Sequence, residues 1–537
     1  MLIIAPIFLL ILAALIIVIV NRTKENYPIS FMLAAISTFA AWLITLILRL
    51  YLPSTFPLVD WKPQSLFLAS PFLSLDYQSW SFALSLITIC MAAIFTDSAR
   101  SSSGLSPITW TGSLSITAFG MIALLAGNPL TMILAWAFMD IIEFFYLLFT
   151  QRDVSQNQRI LLSFALHLLS ILMFFWATMV GWHEVGGAFD FTNMPASASI
   201  YFLLAAGLRL GILPLNLPFF NEPVLNRGLS TLIRLAPVAS SLCLIGRLPS
   251  DAFVMQPQWK LLLQAMTTLA AIYTAIRWTI HQDKAEAKPY WIISLSAISL
   301  YSAINGYPEA SRAWGIALLL SGSMLFLYHP HLKRLRYLLF FGLAGLVALP
   351  FTPAVTGWDG LIGGHFTIWT LVMILAHAIL VFGYVRFIFN AKASAAGLET
   401  WAKIIFPLGL IIIIQSDLIT GLVGWPGSFT LGKWWAGLVS ALIAVSLLFL
   451  VKRFKLDTIT LKLADKGNWI STLQTPIKVV DKIFRLEWLY QLLLGISKLL
   501  SKLTFGITAV LEGEGGILWA LLILLLLITV IMAGDGV

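Results

Sequence analysis

Polar surface is what this chain has least of. Only 11% of its 537 residues are charged, against 59% hydrophobic, which excludes an ordinary soluble domain and a disordered chain alike. Cysteine is almost missing as well. Cys90 and Cys243 both lie in apolar runs and make neither a disulfide framework nor a thiolate metal site. No cysteine cluster, glycine-rich dinucleotide loop or quinone signature is present, so no cofactor or metal is expected. No connection is long enough to fold alone; the longest polar ones are 52–73, 183–197 and 452–515.

What is present is a series of apolar windows of about 20 residues, each long enough for roughly 30 Å of hydrocarbon. They fall at 2–20, 29–51, 74–96, 106–126, 129–150, 160–182, 198–220, 228–247, 260–281, 289–306, 310–329, 335–357, 365–390, 404–424, 433–451 and 516–534. The reading is an all-α polytopic membrane protein. The first run follows Met1 without a basic n-region or a small-residue cleavage site, so it is read as a retained span.

The net charge of +9 has a topological explanation. Alternate threading puts "NRTKEN", Arg100, "QRDVSQNQR", "HQDKAEAK", "HLKRLR", Lys392, Lys403 and "KRFK" on one side. The other side receives only Arg49, Lys62, Arg247, Lys260 and Lys433. That asymmetry marks the first side as cytoplasmic, with both termini outside and a prokaryotic plasma membrane as the setting. No nucleic acid is needed as a partner.

Residues 475–511 alternate apolar pairs with Lys, Asp, Arg and Glu at spacings of three and four. This pattern suits a helix lying in the interface plane, with Trp488, Leu489, Leu492, Leu493 and Ile496 along one side. A plain linker is the alternative. "LEGEGG" then precedes the last apolar run.

Two segments echo each other: "GLRLGILPLNLPFF" (207–220) and "GLAGLVALPFTPAV" (342–355). Each has Gly-Leu, a short apolar stretch, then Pro214 and Pro218 in one and Pro350 and Pro353 in the other. Proline removes a backbone donor and clashes with the turn before it, so both spans are expected to break inside the membrane. Freed carbonyls there require protein or a wet cavity, and paired broken helices are a pointer to an ion site. Two ordinary proline kinks are the plainer alternative.

Ionisable side chains inside the spans each cost at least about 2.5 kcal/mol. The candidates are Asp140, Glu143, His167, Arg209, Arg234, Glu309, Arg312, Asp359, His365, His377 and Asp417. Near a span end, snorkelling explains such a residue. Asp140, His167, Arg209 and Arg234 are too central for that and are expected to pair in the bundle interior. Such a set suits a proton relay, or an inert paired core.

Five segments also follow a familiar order across spans three to thirteen. "LDYQSWSFAL" (75–84) is similar to a Leu-Asp-Gly-Leu-Ser opening, and "WAFMDIIEFFYLL" to a fifth span holding an essential glutamate. "GLRLGILPLNLPFF" resembles a broken span with lysine, Pro and His. "SRAWGIALLLSGS" (311–323) looks like a Lys-Ala-Leu-Leu-Phe stretch, and "GLVALPFTPAVTGWDGL" like a broken twelfth span. Together they resemble the antiporter-like subunits of respiratory complex I and their relatives in Mrp-type cation/proton antiporters and membrane-bound hydrogenases.

The resemblance implies about 14–16 transmembrane helices with two inverted five-helix repeats, a lateral amphipathic helix and a final anchor. The corresponding divisions are 1–105, 106–250, 251–395, 396–455, 456–515 and 516–537. It implies proton or Na⁺/H⁺ translocation through a central hydrated line of charges. The implied partners are protons or Na⁺, lipid, other membrane subunits and a cytoplasmic soluble subunit. A non-conducting scaffold and the membrane subunit of an inorganic-carbon uptake complex are the alternatives within the same family.

The chain departs from the pattern at its charges. Arg209 and Arg312 stand where the family has lysines, and Arg234 sits one turn before a third. Asn216 takes a histidine position. The glutamate position falls on Met139, with Asp140 beside it and Glu143 one turn on, and Asp359 is one residue off a Lys/Glu position. Buried lysine can lose its proton; arginine cannot. Either carboxylates and histidines carry the proton past fixed arginines, or the path is closed.

Overall fold

The computed structural model describes residues 2–23, 27–61, 69–98, 107–150, 154–215, 227–252, 257–281, 284–328, 333–363, 366–390, 400–430 and 432–453, with scattered positions beyond 490. Met1–Asp465 form one compact unit and Lys466–Val537 a second. The helices of the first are α1 (Ala5–Thr23), α2 (Tyr27–Leu48), α3 (Tyr77–Asp97), α4 (Pro107–Leu124), α5 (Pro129–Thr150), α6 (Val154–Val185), α7 (Ala196–Arg209) and α8 (Arg227–Ile245). They continue with α9 (Pro257–Ile280), α10 (Lys284–Ile304), α11 (Pro308–Leu327), α12 (Leu339–Val347), α13 (Gly357–Ile362), α14 (Ile368–Asn390), α15 (Ala402–Ile419) and α16 (Trp435–Arg453). Twelve described helices are long and apolar enough to cross a membrane.

Local chemistry sets the helix starts. α4, α5, α9 and α11 each begin at a proline, whose fixed φ suits the first turn and whose missing donor costs nothing there. Before α3, an antiparallel pair of short strands, β1 (Ser54–Pro57) and β2 (Phe72–Leu75), matches Ser54 with Leu75 and Pro57 with Phe72. Asp76 then caps the helix. Its carboxylate accepts from the Ser79 backbone N–H at 2.6 Å, and the Ser79 hydroxyl accepts from the Asp76 N–H at 2.8 Å, a reciprocal capping box.

α3, α8 and α11 are buried on nearly every side and form the middle of the bundle. Outer helices expose large apolar side chains such as Phe8, Ile36, Leu261 and Phe449, the surface a hydrocarbon solvent requires. Polar links stitch the interior. The Trp42 indole donates to Thr88 and Ser416 at 3.0 and 3.2 Å, joining α2, α3 and α15.

Three of the sixteen expected spans differ. The one expected over 198–220 is helical only to Arg209, and the one over 335–357 only to Val347 before it breaks. α10 is long enough, but Ser294, Ser296, Ser299 and Ser302, all buried, dilute its apolar character. Of the expected interfacial helix, only 491, 495, 498–499 and 501–502 are among the described residues, and of the last span only 521–526 and 529; these are helical. The rest of both lies outside the described residues.

Both breaks have a backbone explanation. After Arg209 the chain folds back, Ile212 and Leu213 N–H groups both reaching the Gly207 carbonyl at 2.8 and 3.1 Å. A side chain on Gly207 would sit 2.9 Å from Leu213 Cβ, so only glycine permits that return. After Val347, Ala348 turns left-handed with φ 61°. Pro350 has no N–H for the Leu346 carbonyl four residues back. His377 Nε2–H donates to that carbonyl instead at 3.0 Å, while Nδ1 accepts from Ser440 at 2.7 Å. The Pro353–Thr356 3₁₀ turn and α13 resume the segment. Pro218 lies outside the described residues.

The break presses on α15. A Cβ on Gly421, in the π-helical turn Thr420–Gly424, would lie 2.1 Å from the Phe351 carbonyl oxygen. Gly421→Ala is expected to cost about 1–3 kcal/mol or more and to lower the thermal midpoint in detergent. Gly187→Ala, where nothing lies within 4 Å, is expected to leave it unchanged. Equal midpoints for the two variants would contradict this packing.

Candidate functional site

Three helices bring one charged cluster together. α5 presents Trp136, Asp140 and Glu143 at i, i+4 and i+7, one helix face. α6 supplies His167, and α7 ends on Arg209 beside its break. All are buried: Asp140 and Arg209 are each 1% exposed, His167 3% and Glu143 7%.

The Arg209 guanidinium grips Asp140 with both of its terminal nitrogens. Nη1 donates to Oδ2 at 2.9 Å and Nη2 donates to Oδ1, the fork-to-fork geometry that makes arginine–carboxylate pairs strong. The same guanidinium lies over the Trp136 ring, 4.6 Å from its centroid, a favourable position for a desolvated cation. Trp136 is held in turn by donating to Ser240 of α8 at 2.9 Å and by edge contact with Phe174. Ser170, one turn after His167, donates to the Ala205 carbonyl at 2.9 Å and ties α6 to α7.

His167 Nδ1 lies 3.1 Å from Asp140 Oδ1 and 4.0 Å from Glu143 Oε2. It therefore faces both carboxylates at once. Arg234, buried on α8, is close enough to add its charge to Glu143. Three buried polar atoms here have no hydrogen-bond partner among the described residues: His167 Nε2, Glu143 Oε2 and Arg209 Nε. Buried polar groups in such surroundings are ordinarily satisfied by water.

Asp140, Glu143 and His167 offer ligand atoms within 4.8 Å of one another. The arrangement does not suit a divalent metal. Asp140 already takes two arginine hydrogen bonds, and the guanidinium charge would oppose the ion.

The other sequence candidates lie apart. Glu309, in the first turn of α11, and Asp359 of α13 line a cavity of about 690 Å³ with Tyr307, Thr430 and Lys433. Arg312 Nε donates to the Gly246 carbonyl at 2.9 Å. His377 has both ring nitrogens engaged at the second break, between Trp314 and Trp358. Asp417 of α15 lines a separate small cavity. His365 and Asn216 lie outside the described residues. Of the residues that build the cluster, sequence reasoning missed Trp136, Ser170 and Ser240. Trp136 was legible as a third member of the Asp140–Glu143 stripe; the serines had no such signal.

No protein-family model matches this chain, and no curated protein matches it. Its fold matches that of chains from the Mrp complex and from respiratory complexes. A chain of the Mrp complex from Dietzia sp. DQ12-45-1b aligns over 99% of this chain, with a TM-score of 0.69 and 15% identity; this chain spans 63% of that one. A chain of the membrane-bound sulfane sulfur reductase, an archaeal respiratory membrane complex, aligns over 98% of this chain and 99% of its own, with a TM-score of 0.66 and 16% identity. A chain of respiratory complex I from Thermus thermophilus aligns over 78% and 98%, with a TM-score of 0.57 and 14% identity. The chain is thus an integral membrane protein of the all-α polytopic class that the sequence resemblance implied.

A buried pair that loses one partner leaves an uncompensated charge, at about 3–5 kcal/mol. Asp140→Asn and Arg209→Gln are each expected to lower the thermal midpoint, and the double variant to lose less than their sum. Additive losses in this double-mutant cycle would contradict the pairing.

Proposed function

We propose that this chain is a proton-translocating, antiporter-like subunit of a multi-subunit membrane complex, with Glu143 and His167 as carriers and Arg209–Asp140 as a fixed pair. The observation that carries the reading is His167 Nδ1 within reach of two carboxylates, beside a broken helix. Arginine holds its proton at any working pH, so Arg209 serves as a permanent charge that cancels Asp140 and positions it. Asp140 orients His167 by accepting from Nδ1–H. His167 accepts a proton from water at Nε2 and releases the one on Nδ1 toward Glu143, whose Oε2, unclaimed by described residues, lies 4.0 Å away. Arg234 offsets the negative charge that remains when Glu143 is ionised.

We place both termini outside the cytoplasm, on the loop-charge asymmetry. The partners are other membrane subunits, since the three compared folds come from multi-subunit complexes. Redox or other chemistry is assigned to partner chains.

A scaffold reading has one observation in its favour: Arg209 occupies both oxygens of Asp140. Flux into proteoliposomes carrying a pH-sensitive dye separates the two. Glu143→Gln and His167→Ala are each expected to cut proton flux by about tenfold or more, with Na⁺ omitted or added to identify the coupling ion. Equal flux in wild type and both variants would sink the relay; background flux from the wild type in its copurified assembly would favour the scaffold.

A further inference from the structure

Asp417 is a mid-membrane carboxylate that the cluster around Arg209 does not use. It is the sixteenth residue of a 23-residue span, Ala402–Gly424, and so lies about 6 Å along the axis from the span's midpoint. Among the described residues, no cationic group forms an ion pair with it and no side chain hydrogen-bonds it. A carboxylate in that position needs a counter-charge or a proton.

Three oxygen-bearing side chains, Asp417, Ser321 and Thr352, meet in an otherwise apolar cavity wall. A methyl group placed on Gly345 of α12 would lie 3.2 Å from Asp417 Oδ2 and 3.2 Å from Ser321 Oγ, so both oxygens converge over the bare glycine. The Ser321 hydroxyl donates to the Gly342 carbonyl at 2.8 Å, and the Thr352 hydroxyl donates to the Leu349 carbonyl at 2.7 Å. Each hydroxyl has thereby spent its only proton, and what it turns to a neighbour is a lone pair. Asp417, Ser321 and Thr352 line one cavity of about 60 Å³, enough for an ion or a water. α12 ends beside it, and the C-terminal end of a helix carries negative partial charge. A carboxylate with two hydroxyl lone pairs beside it, at a broken helix, suits a cation.

Other titratable groups face elsewhere. No lining residue from α11 or α12 is titratable. The exception is Tyr384 of α14, whose hydroxyl comes beside Gly342 of the cavity lining. On α3, Asp97 points at Gly228, and Cys90 Sγ donates to Ser113 of α4. The far side of α15 meets Trp42 and Thr88 through Ser416. Arg336 and Tyr337 belong to the 3₁₀ turn Lys333–Leu338 before α12, outside the cavity lining.

We propose that Asp417, Ser321, Thr352 and the broken end of α12 form a binding site for a small monovalent cation, a proton or Na⁺, separate from the Asp140 cluster. Dicyclohexylcarbodiimide reports on it, because this apolar reagent reacts with a protonated carboxyl and not with an ionised or cation-bound one. The acid adds across a C=N bond, its proton going to nitrogen, and the acyl group then shifts from oxygen to nitrogen. The whole reagent is retained, with nothing released.

The full-length protein in liposomes is treated with the reagent over a pH series, with and without Na⁺, and peptides are weighed. The expected result is one reagent mass on the peptide holding Asp417 at acidic pH, falling as pH rises, and absent from Asp417→Asn. Protection by Na⁺ identifies a sodium site; pH dependence indifferent to Na⁺ identifies a proton site. Gly345→Ala, which crowds both oxygens, is expected to weaken Na⁺ protection or to shift the pH profile. No adduct under any condition, or a yield indifferent to both pH and Na⁺, would overturn the proposal. The wild-type series suffices should a variant fail to fold. The readout is a covalent mass at one residue, so it is independent of any flux through Glu143 and His167.

Discussion

A guanidinium keeps its charge wherever it is placed, and Arg209 is placed at the end of a helix that stops inside the membrane. Most of the local structure answers that constraint. Asp140 meets the charge with two parallel hydrogen bonds, and Trp136 covers its face. Ser240 and Phe174 hold the indole, and Ser170 fastens α6 to α7 so that His167 reaches the same carboxylate. Four helices are therefore coupled through one cation. The pair by itself is poor evidence of stability, since desolvating two ions offsets most of their attraction. Its consequence is registration: α5, α6, α7 and α8 can pack in only a few ways that leave no charge alone.

The broken helices pose a second problem, of backbone rather than charge. Where α7 and α12 stop, carbonyls lose their helical donors in a medium without water. The two breaks are closed differently. At the first, the chain folds back and its own N–H groups satisfy Gly207. At the second, His377 reaches across from α14 to the Leu346 carbonyl that Pro350 leaves open. A histidine that reads in sequence as a proton carrier thus acts here as a cap, both of its nitrogens engaged. Asp417, Ser321 of α11 and Thr352, just past that break, line one small cavity.

Apolar length and periodicity made the fold legible, because lipid imposes one requirement on every span. Twelve helices fall where windows of apolar residues place them. The breaks at Pro214 and Pro350 were legible for the same reason, proline having one effect on a helix interior. α10 was placed correctly as a helix although its buried serines dilute its apolar character, because its environment is protein rather than hydrocarbon. The meeting of Asp140, His167 and Arg209 was legible as an expectation of pairing among central charges. Its partners were not: Ser240 lies 104 residues from Trp136, and Leu346 lies 31 from His377. Spacing along a chain carries no information about such contacts. The separation of Glu309, Asp359, His377 and Asp417 from the cluster was hidden equally, since hydropathy reports depth poorly and azimuth hardly at all.

Two ionisable places therefore stand at two broken helices, one paired and one not. The account rests on the first being hydrated, with His167 turned inward. An experimental density map fine enough to show ordered water tests this most directly. It is expected to show water within hydrogen-bond reach of His167 Nε2 and Arg209 Nε, with Nδ1 against Asp140. A map with His167 rotated toward lipid, and dry packing against both nitrogens, would contradict it.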